Sequence, residues 1–584
     1  MIKNGDENVA VDKVLFNGKF YTENPEMPWA SAVAISDKKF VYVGDDEGAK
    51  ALAGADTEVL DMEGKTIIPG LLDGHTHPAI VSKTFWYMRG CLPQTKEALL
   101  EDIAKMAKEY PKEERPYFYY ESYFTTTFDE KGPDRWFFDQ VINDRPARIQ
   151  DFGDHACCYN TKALEMLMDE NGVPHSYSPI GEPSFAKNEK GEYTGWAHES
   201  VCEGDVGILE AVKKETGWEP ALTMNDEMST PLFDYFRQYG IIGMMDGFTE
   251  GEENLKYIWQ LDQEGRLGMF YEGSSIMSEP KDLEEAIATL RDWQKKYTTE
   301  HIRINTVKFF VDGTNEMGDC LSTEPFHNDP SGTNCGEAFA TFEEIRDSMV
   351  RLNEERIDFH VHTICDGAFR LMCDAVEAAQ KICGDDWCIK VTLCHCEIIH
   401  PDDVPRVKEL GIYIDYSCHW AGGYFGEGAV PFLGQKRWET MHDYTKVIAA
   451  GGKVGFSSDV FSYQEAMRAN PMIGMQVAMT RVEPWEQVRL DPTKYPGSVR
   501  PPVDAKLTIE QLIHGYTVIN AERMRLDDKL GSIEEGKLAN LVVFNEDIFD
   551  FAHKTPERFS EIDPWGTFFE GEERHIISKM RKDR

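Results

Sequence analysis

The sequence contains a His-x-His pair, His75 and His77, at the end of the apolar run IIPGLLDGHTHP (67–78). Successive side chains of a β-strand point to opposite faces, so histidines two positions apart point to the same side and can bind one metal ion. Neutral imidazole is the commonest metal ligand, but two histidines do not complete a coordination sphere. The pair therefore predicts a metal-dependent enzyme with further ligands elsewhere, and the alternative is a solvated or helix-capping pair.

Four later runs of β-branched and aromatic residues, each bounded by turn signals, predict buried strands with polar candidates. These candidates are Lys308 in 301–313, His360 and His362 in 356–368, His395 in 389–398, and Asp459 at the end of 453–460. An unpaired ammonium in an apolar strand is costly, so Lys308 needs a partner or a chemical role. The order along the chain is His-x-His, Lys, His, His, Asp.

Eight predicted strands would position these residues. The predicted strands are 66–74, 240–246, 267–275, 303–310, 356–362, 389–395, 411–417 and 453–459. From the second onward the intervals can hold a helix, which predicts an α/β protein with a (β/α)8 TIM barrel and catalytic groups at the C-terminal strand ends. An open doubly wound sheet is less favoured, because no Gly-rich phosphate fingerprint follows the first strand.

The ordered candidates resemble the amidohydrolase superfamily, and within it the branch of the N-substituted formamide deformylases. The matching segments are GLLDGHTHP (70–78), GDHACCYNTKALE (153–165), VKFFVDGT (307–314), HTICDGA (362–368), HCEIIHPDDVPRVKELG (395–411), SSD (457–459) and GSIEEGKLANLVVF (531–544). The resemblance implies ligands at the C-terminal ends of strands 1, 4, 5, 6 and 8 of the barrel. The alternative for Lys308 is a snorkelling or ion-paired lysine.

In such a site His75, His77 and Asp459 would bind one metal ion, and His362 and His395 a second. Lys308, carbamylated by carbon dioxide, would bridge the two ions. Zinc is expected in both positions, with manganese or iron as alternatives. Two divalent ions that share a hydroxide lower the pKa of its parent water and polarise a carbonyl, and Asp459 would accept the proton and return it to the leaving amine.

Further residues are expected around these ligands. His155 is expected to contact the substrate carbonyl, with a structural role as the alternative. The branch has a Gln-Pro-x-His segment after strand 7 where this chain has Tyr416-Ser417-Cys418-His419, followed by Trp420. Residues expected to bind substrate are therefore His155, Tyr416, His419 and Trp420. Residues expected to support the ligands are His360, Asp366 and Glu397; alternatively, His360 is itself a ligand and Glu397 forms a surface salt bridge.

The chain has 584 residues, more than one barrel needs. Residues 1–65 and 530–584 predict short strands, and the resemblance implies that they form one small β-sandwich beside the barrel of 66–529. An insertion at about 90–235 follows the first barrel strand. Because loops after barrel strands lie at the catalytic end, we expect it to form a lid or pocket wall.

The formal net charge of −42 argues against nucleic acid or an anionic membrane as partner, because both select for basic patches. It is expected to serve solubility, with attraction of cationic substrates as the alternative. No signal segment or membrane-spanning run is evident, and the 13 cysteines fit reduced thiols, so a cytoplasmic protein is predicted. The expected partner is a small molecule, and a homodimer is expected from exposed insertions.

Together these features predict a hydrolase of a non-peptide carbon–nitrogen bond in a small amide or N-acyl amine with an apolar or aromatic portion. One alternative is a mononuclear aminohydrolase, a deaminase, which would leave Lys308 unexplained. Another is a catalytically silent barrel that acts as a binding protein. Fold alone does not decide among them.

Overall fold

The computed structural model describes residues 11–90, 92, 95–129, 131–153, 155–176, 184–198, 206–423 and 426–582. Its centre is a sheet of eight strands, each parallel to its sheet neighbours and ordered along the chain. The strands are β1 (Leu71–Thr76), β2 (Ile241–Asp246), β3 (Phe270–Ile276), β4 (Ile302–Phe310), β5 (Asp358–Thr363), β6 (Val391–His395), β7 (Tyr413–Ser417) and β8 (Lys453–Ser457).

The first and last strands meet just beyond their C-terminal ends. The backbone N–H of Asp459 donates to the carbonyl of His75 over 2.8 Å, and the N–H of His77 donates to the carbonyl of Val460 over 3.1 Å. These bonds bring the sheet close to a closed barrel, so the predicted fold class is confirmed. They also place His75, His77 and Asp459 side by side.

Helices alternate with the barrel strands and cover the outside of the sheet. They are α1 (Asp226–Gln238), α2 (Glu252–Gln263), α3 (Leu283–Tyr297), α4 (Phe342–Glu355), α5 (Asp366–Cys383), α6 (Arg406–Leu410), α7 (Tyr444–Ala449) and α8 (Ile509–His514). Helix α4 shows why such segments start and stop where they do. Thr341 and Glu344 form a capping box at its N-terminus, and Arg356 adopts a left-handed conformation at its end. None of the described helices is long and apolar enough to cross a membrane.

Two small sheets lie beside the barrel, the first built from N-terminal strands and the second from strands of both chain ends. One has the order Lys39–Gly44, Ala32–Ser36, Lys13–Phe16, Glu58–Asp61; the other has the order Glu572–Arg574, Gly566–Phe569, Leu541–Phe544, Thr66–Pro69, Lys19–Tyr21, Trp29–Ala30. Buried residues from both ends, such as Leu15, Ile67 and Val543, pack into one core between them. Residues 1–10 and 583–584 lie outside the described part of the chain.

The segment between β1 and α1 forms a mixed sheet of its own. Its strands are ordered Ser184–Lys187, Tyr193–His198, Ala156–Tyr159, Ala147–Asp151, Phe118–Tyr123, Met88–Arg89. The accompanying helices are Lys96–Glu109, Arg135–Asp139, Thr161–Leu167 and Val206–Thr216. Residues 177–183 and 199–205 of the predicted insertion lie outside the described residues. The loop after Ala147–Asp151 carries His155 to the catalytic end of the barrel.

Candidate metal centre and substrate pocket

Three ligand atoms converge where β1 and β8 meet. Nε2 of His75 lies 3.1 Å from Nε2 of His77, and each is 3.4 Å from Oδ1 of Asp459. All three side chains are buried. Two imidazole nitrogens and a carboxylate oxygen directed at one point form a donor set that suits a divalent cation such as zinc.

Gly247, just after β2, leaves room for this group. A Cβ at Gly247 would lie 2.4 Å from Cε1 of His77 and 2.7 Å from Nε2 of His75. Its backbone N–H donates to the carbonyl of Thr76 over 2.7 Å, which holds it against the end of β1. Only glycine fits at this position without displacing the His-x-His pair.

His360 contacts the opposite side of the first histidine. Its Nε2 lies 2.6 Å from Nδ1 of His75, and the two rings stack at 26°. It faces a small cavity within the barrel and is not part of the pocket wall. A hydrogen bond to Nδ1 leaves Nε2 of His75 free to bind a metal, so the contact fits the supporting role expected for His360.

Lys308 on β4 is 1 % exposed and lines the pocket. Its Nζ donates to Sγ of Cys394 over 3.3 Å and lies 4.8 Å from the ring centroid of Phe310. In the described part of the chain no carboxylate oxygen lies within 4.0 Å of Nζ. The structure therefore places a buried amine beside the candidate ligands without an acidic partner.

His362 and His395 form the other side of the centre. Their ring centroids are 4.6 Å apart, and Nε2 of His362 lies 3.2 Å from the carbonyl oxygen of Gly313. Nδ1 of His395 lies 3.3 Å from Oδ2 of Asp459 without the geometry of a hydrogen bond, and Trp420 stacks on its ring at 5.0 Å. The structure thus brings all six expected ligands to one pocket.

Burial sets the electrostatics of these histidines. Desolvation, with the positive charge of Lys308 and the neighbouring rings, holds the pKa values of His75, His362 and His395 well below their usual range. Desolvation also lowers the pKa of His77, and Asp459 partly offsets this. The imidazoles are therefore neutral, which is the form that binds metal ions.

Asp73 connects the end of β1 to the end of β8 through hydrogen bonds. Its Oδ1 accepts from the backbone N–H of Ser458 over 2.9 Å, and its Oδ2 accepts from Oγ of Ser458 over 2.5 Å. Burial raises the pKa of Asp73 to about 7. The sequence analysis did not single out this residue, although it lies two positions before His75.

The pocket beside the centre has aromatic and acidic walls. Its lining includes Phe124, Phe152, Phe248, Phe310, Trp420 and Phe461, with the polar residues Asp151, His155, Thr314, Glu316 and Glu397. The ring of His155 lies 5.5 Å from that of His362, so the insertion supplies part of the wall. The sequence analysis named His155, Trp420 and Glu397 but missed loop residues such as Phe248 and Glu316, because loops have no periodic patterning.

Glu397 faces the pocket. It is buried, and its Oε2 accepts from Nδ2 of Asn315 over 2.6 Å. Burial and the nearby charge of Glu316 raise the pKa of Glu397 well above its usual range, and burial raises that of Glu316. Because Glu397 is buried, the alternative of a surface salt bridge is wrong. Its carboxyl group lies in the pocket wall, and its support of a ligand stays a prediction.

Tyr416 and His419, which were expected to bind substrate, lie outside the pocket lining. On β7 the side chain of Asp415 points into the barrel, where Oγ of Ser457 donates to it. Because strand residues alternate, Tyr416 points outward and stacks on Tyr444 of α7 at 3.6 Å. His419 is likewise buried away from the pocket.

Asp366 does not contact the candidate ligands through any described hydrogen bond or ion pair. It begins α5, where Nη2 of Arg437 donates to its Oδ1 over 2.8 Å and Oγ1 of Thr323 donates to its Oδ2 over 2.6 Å. The expectation that it supports a ligand is not met. Its short side chain lies at the N-terminus of α5. Its contacts there connect this helix to the segments that follow β4 and β7.

Two known proteins are similar to this chain over most of its length. The chain is 27 % identical over 431 residues to the exoenzymes regulatory protein AepA of Pectobacterium carotovorum subsp. carotovorum, covering 72 % of this chain and 88 % of that protein. It is 23 % identical over 554 residues to the N-substituted formamide deformylase of Arthrobacter pascens, covering 93 % and 94 % of the two chains.

A similar fold occurs in a solved structure of an uncharacterized metal-dependent hydrolase from Pyrococcus furiosus. Its TM-score is 0.61 at 23 % identity, with 92 % of this chain and 99 % of that chain covered. The model of the amidohydrolase family matches residues 58–574. This chain therefore belongs to the amidohydrolase family and is a hydrolase acting on carbon–nitrogen bonds.

Proposed function

We propose that this protein hydrolyses the carbon–nitrogen bond of a small amide or N-acyl amine that is not a peptide. The observation that carries the proposal is the convergence of His75, His77 and Asp459 at the floor of a pocket that also contains Lys308. Similarity to a formamide deformylase along most of both chains favours this bond type. The aromatic pocket walls favour a substrate with an apolar or aromatic portion.

The residues fit two metal ions. His75, His77 and Asp459 would hold the first, and His362 and His395 the second. Two observations support this fit: Gly247 leaves space beside the pair, and Nδ1 of His395 is buried without a hydrogen bond. Zinc suits this imidazole-rich set, with manganese or iron as alternatives. Bound divalent metal lowers the pKa of water and polarises a carbonyl group.

Lys308 would join the two sets as a carbamate. Its neutral amine would attack carbon dioxide, forming an N–C bond and releasing one proton. The product is an anion with two oxygen donors. This reaction would replace a buried ammonium, which has no carboxylate partner among the described residues, by a group that two cations stabilise.

Asp459 is suited to move the proton. Its carboxylate is 5 % exposed and lies within 3.4 Å of His75, His77 and His395. We propose that it accepts the proton of the attacking water and returns it to the nitrogen of the leaving amine. His155 would orient the substrate carbonyl, and Trp420 would pack against its apolar portion. The cytoplasmic location and the homodimer stay predictions from the sequence.

Elemental analysis of protein expressed with bicarbonate and zinc tests the proposal together with a Lys308→Ala variant. We expect about two metal ions per chain in the wild type and fewer in the variant, and hydrolysis of formamides and other small amides by the wild type but not by Lys308→Ala. Tyr416→Phe is the control, because Tyr416 faces away from the pocket. One metal ion per chain, unchanged by Lys308→Ala, would contradict the bridged centre and point to deaminase substrates.

A further inference from the structure

Two glutamates line the pocket apart from the metal ligands. Glu316 lies in the loop after β4, and Glu397 lies two residues beyond β6. Both belong to the same cavity wall as His155, Phe310 and Trp420. Neither has a part in the hydrolytic chemistry proposed above.

Their hydrogen bonds are incomplete. Glu397 is 3 % exposed, and its Oε2 is used by Asn315. Nε2 of His442 lies 3.9 Å from its Oε1, beyond hydrogen-bond distance. The carboxyl group of Glu316 accepts from its own backbone N–H, and among the described residues no side chain donates to it. A buried carboxylate oxygen that faces a pocket without a donor is unfavourable unless a ligand supplies one.

Both glutamates lie near one buried cation. Arg500 is 3 % exposed, and its guanidinium attracts both Glu316 and Glu397. Its guanidinium also lies 4.7 Å from the ring centroid of Trp438 and so is held within the protein. The two carboxyl groups share this guanidinium, so ionisation of both becomes favourable only when a further cation lies beside them.

We propose that Glu316 and Glu397 bind a cationic nitrogen group of the substrate, an ammonium or amidinium, on the portion that is not cleaved. Such a group supplies both the missing donors and the further positive charge, and charge-assisted hydrogen bonds are stronger than neutral ones. The surrounding aromatic rings would hold the carbon skeleton between this group and the scissile bond. The identity of that bond rests on the proposed function, but cation binding does not.

Benzamidine is a suitable probe, because its cation donates hydrogen bonds and carries an aromatic ring. Calorimetric titration of the zinc-loaded wild type should show binding at least about tenfold tighter than that of neutral benzyl alcohol, with benzoate weaker still. Glu316→Gln and Glu397→Gln should each weaken benzamidine binding about tenfold and leave benzyl alcohol binding within about twofold. Glu546→Gln, an exposed acid with the same charge change, should bind like the wild type.

Equal affinity of the wild type and both pocket variants for benzamidine would overturn the proposal. Equal affinity of the wild type for benzamidine and for benzyl alcohol would also overturn it. Loss of metal in Glu397→Gln would also overturn it, because Glu397 would then belong to the metal site. Hydrolysis is measured separately with N-benzylformamide and its 4-aminomethyl derivative. Inactivity towards both contradicts the proposed formamide chemistry, whereas benzamidine binding continues to decide the cation site.

Discussion

Gly247→Ala is the smallest change that tests the geometry of the centre. The substitution adds one methyl group at a position outside the expected ligands. That methyl carbon would lie 2.4 Å from Cε1 of His77, and 2.7 and 2.9 Å from the Nε2 atoms of His75 and His77. The barrel and the ligand types would stay the same, so an effect on metal binding would report the ligand positions.

The expected size follows from these distances. Ordinary van der Waals contact begins at 3.4 Å, so the ring of His77 or the backbone of residue 247 must move by 3.4 − 2.4 = 1.0 Å. Metal–ligand distances tolerate only about 0.2 Å. A histidine displaced by more than that stops acting as a ligand. We therefore expect metal affinity to fall at least about 100-fold, or about 2.7 kcal/mol.

Competition with a chelator of known affinity measures this change, and elemental analysis gives the metal content. Circular dichroism and thermal unfolding of the metal-free proteins report whether the fold is kept. Gly207→Ala is the matched control, because a Cβ there would meet no atom within 4 Å. Its metal affinity should equal that of the wild type.

The reasoning would be refuted if Gly247→Ala bound metal within about threefold of the wild type while its fold was intact. That result would mean that the His-x-His pair can shift without loss of the site. A loss of affinity in Gly207→Ala as well would show that the assay reports general destabilisation. Only a loss of metal affinity that is confined to Gly247→Ala supports a metal centre built on both His75 and His77.

Two further predictions concern stability. Burial raises the pKa of Glu121, which is 5 % exposed, to about 8, so between pH 4.5 and 8 the native state binds more protons than the unfolded state. The free energy of unfolding should therefore fall as pH rises through this range, by up to about 5 kcal/mol, and Glu121→Gln should flatten the dependence in urea titrations at several pH values. Asp366→Ala breaks the buried pair with Arg437 and should lower the free energy of unfolding by about 3 kcal/mol while metal content stays at the wild-type level. A loss of metal in Asp366→Ala would instead restore its expected role beside the ligands.

The barrel could be predicted from the sequence because its strands are apolar runs bounded by turns. Each predicted run overlaps an observed barrel strand, but the first was wrong in its extent. The predicted strand 66–74 is two strands: Thr66–Pro69 pairs with Leu541–Phe544 in a terminal sheet, and β1 starts at Leu71. Gly70 separates them and packs against Ile242, a contact that local patterning does not reveal.

The ligand positions could be predicted better than the pocket walls. Histidines two residues apart on a strand share a face, and this periodicity is visible in the sequence. For Tyr416 the sequence does not say which of two alternating residues faces the barrel. Asp415 takes the inward position because Arg523 lies inside the barrel, where its Nη2 is 3.1 Å from Oδ2 of Asp415. Loop residues such as Glu316 have no periodicity, so only the folded chain brings them to the pocket.

The candidate centre lies where the two ends of the barrel sequence join. Asp73 on β1 binds Ser458 after β8, and Nδ2 of Asn520 donates to the carbonyls of Leu72 and Phe456 over 2.7 and 2.8 Å. Closing the barrel therefore also brings His75 and His77 to Asp459. Metal bound by β1 and β8 residues would hold these strands together and stabilise the native state by mass action. This explains why Asp73 and Ser458, which are costly to bury, lie at this joint: in the folded protein each hydrogen-bonds to the other.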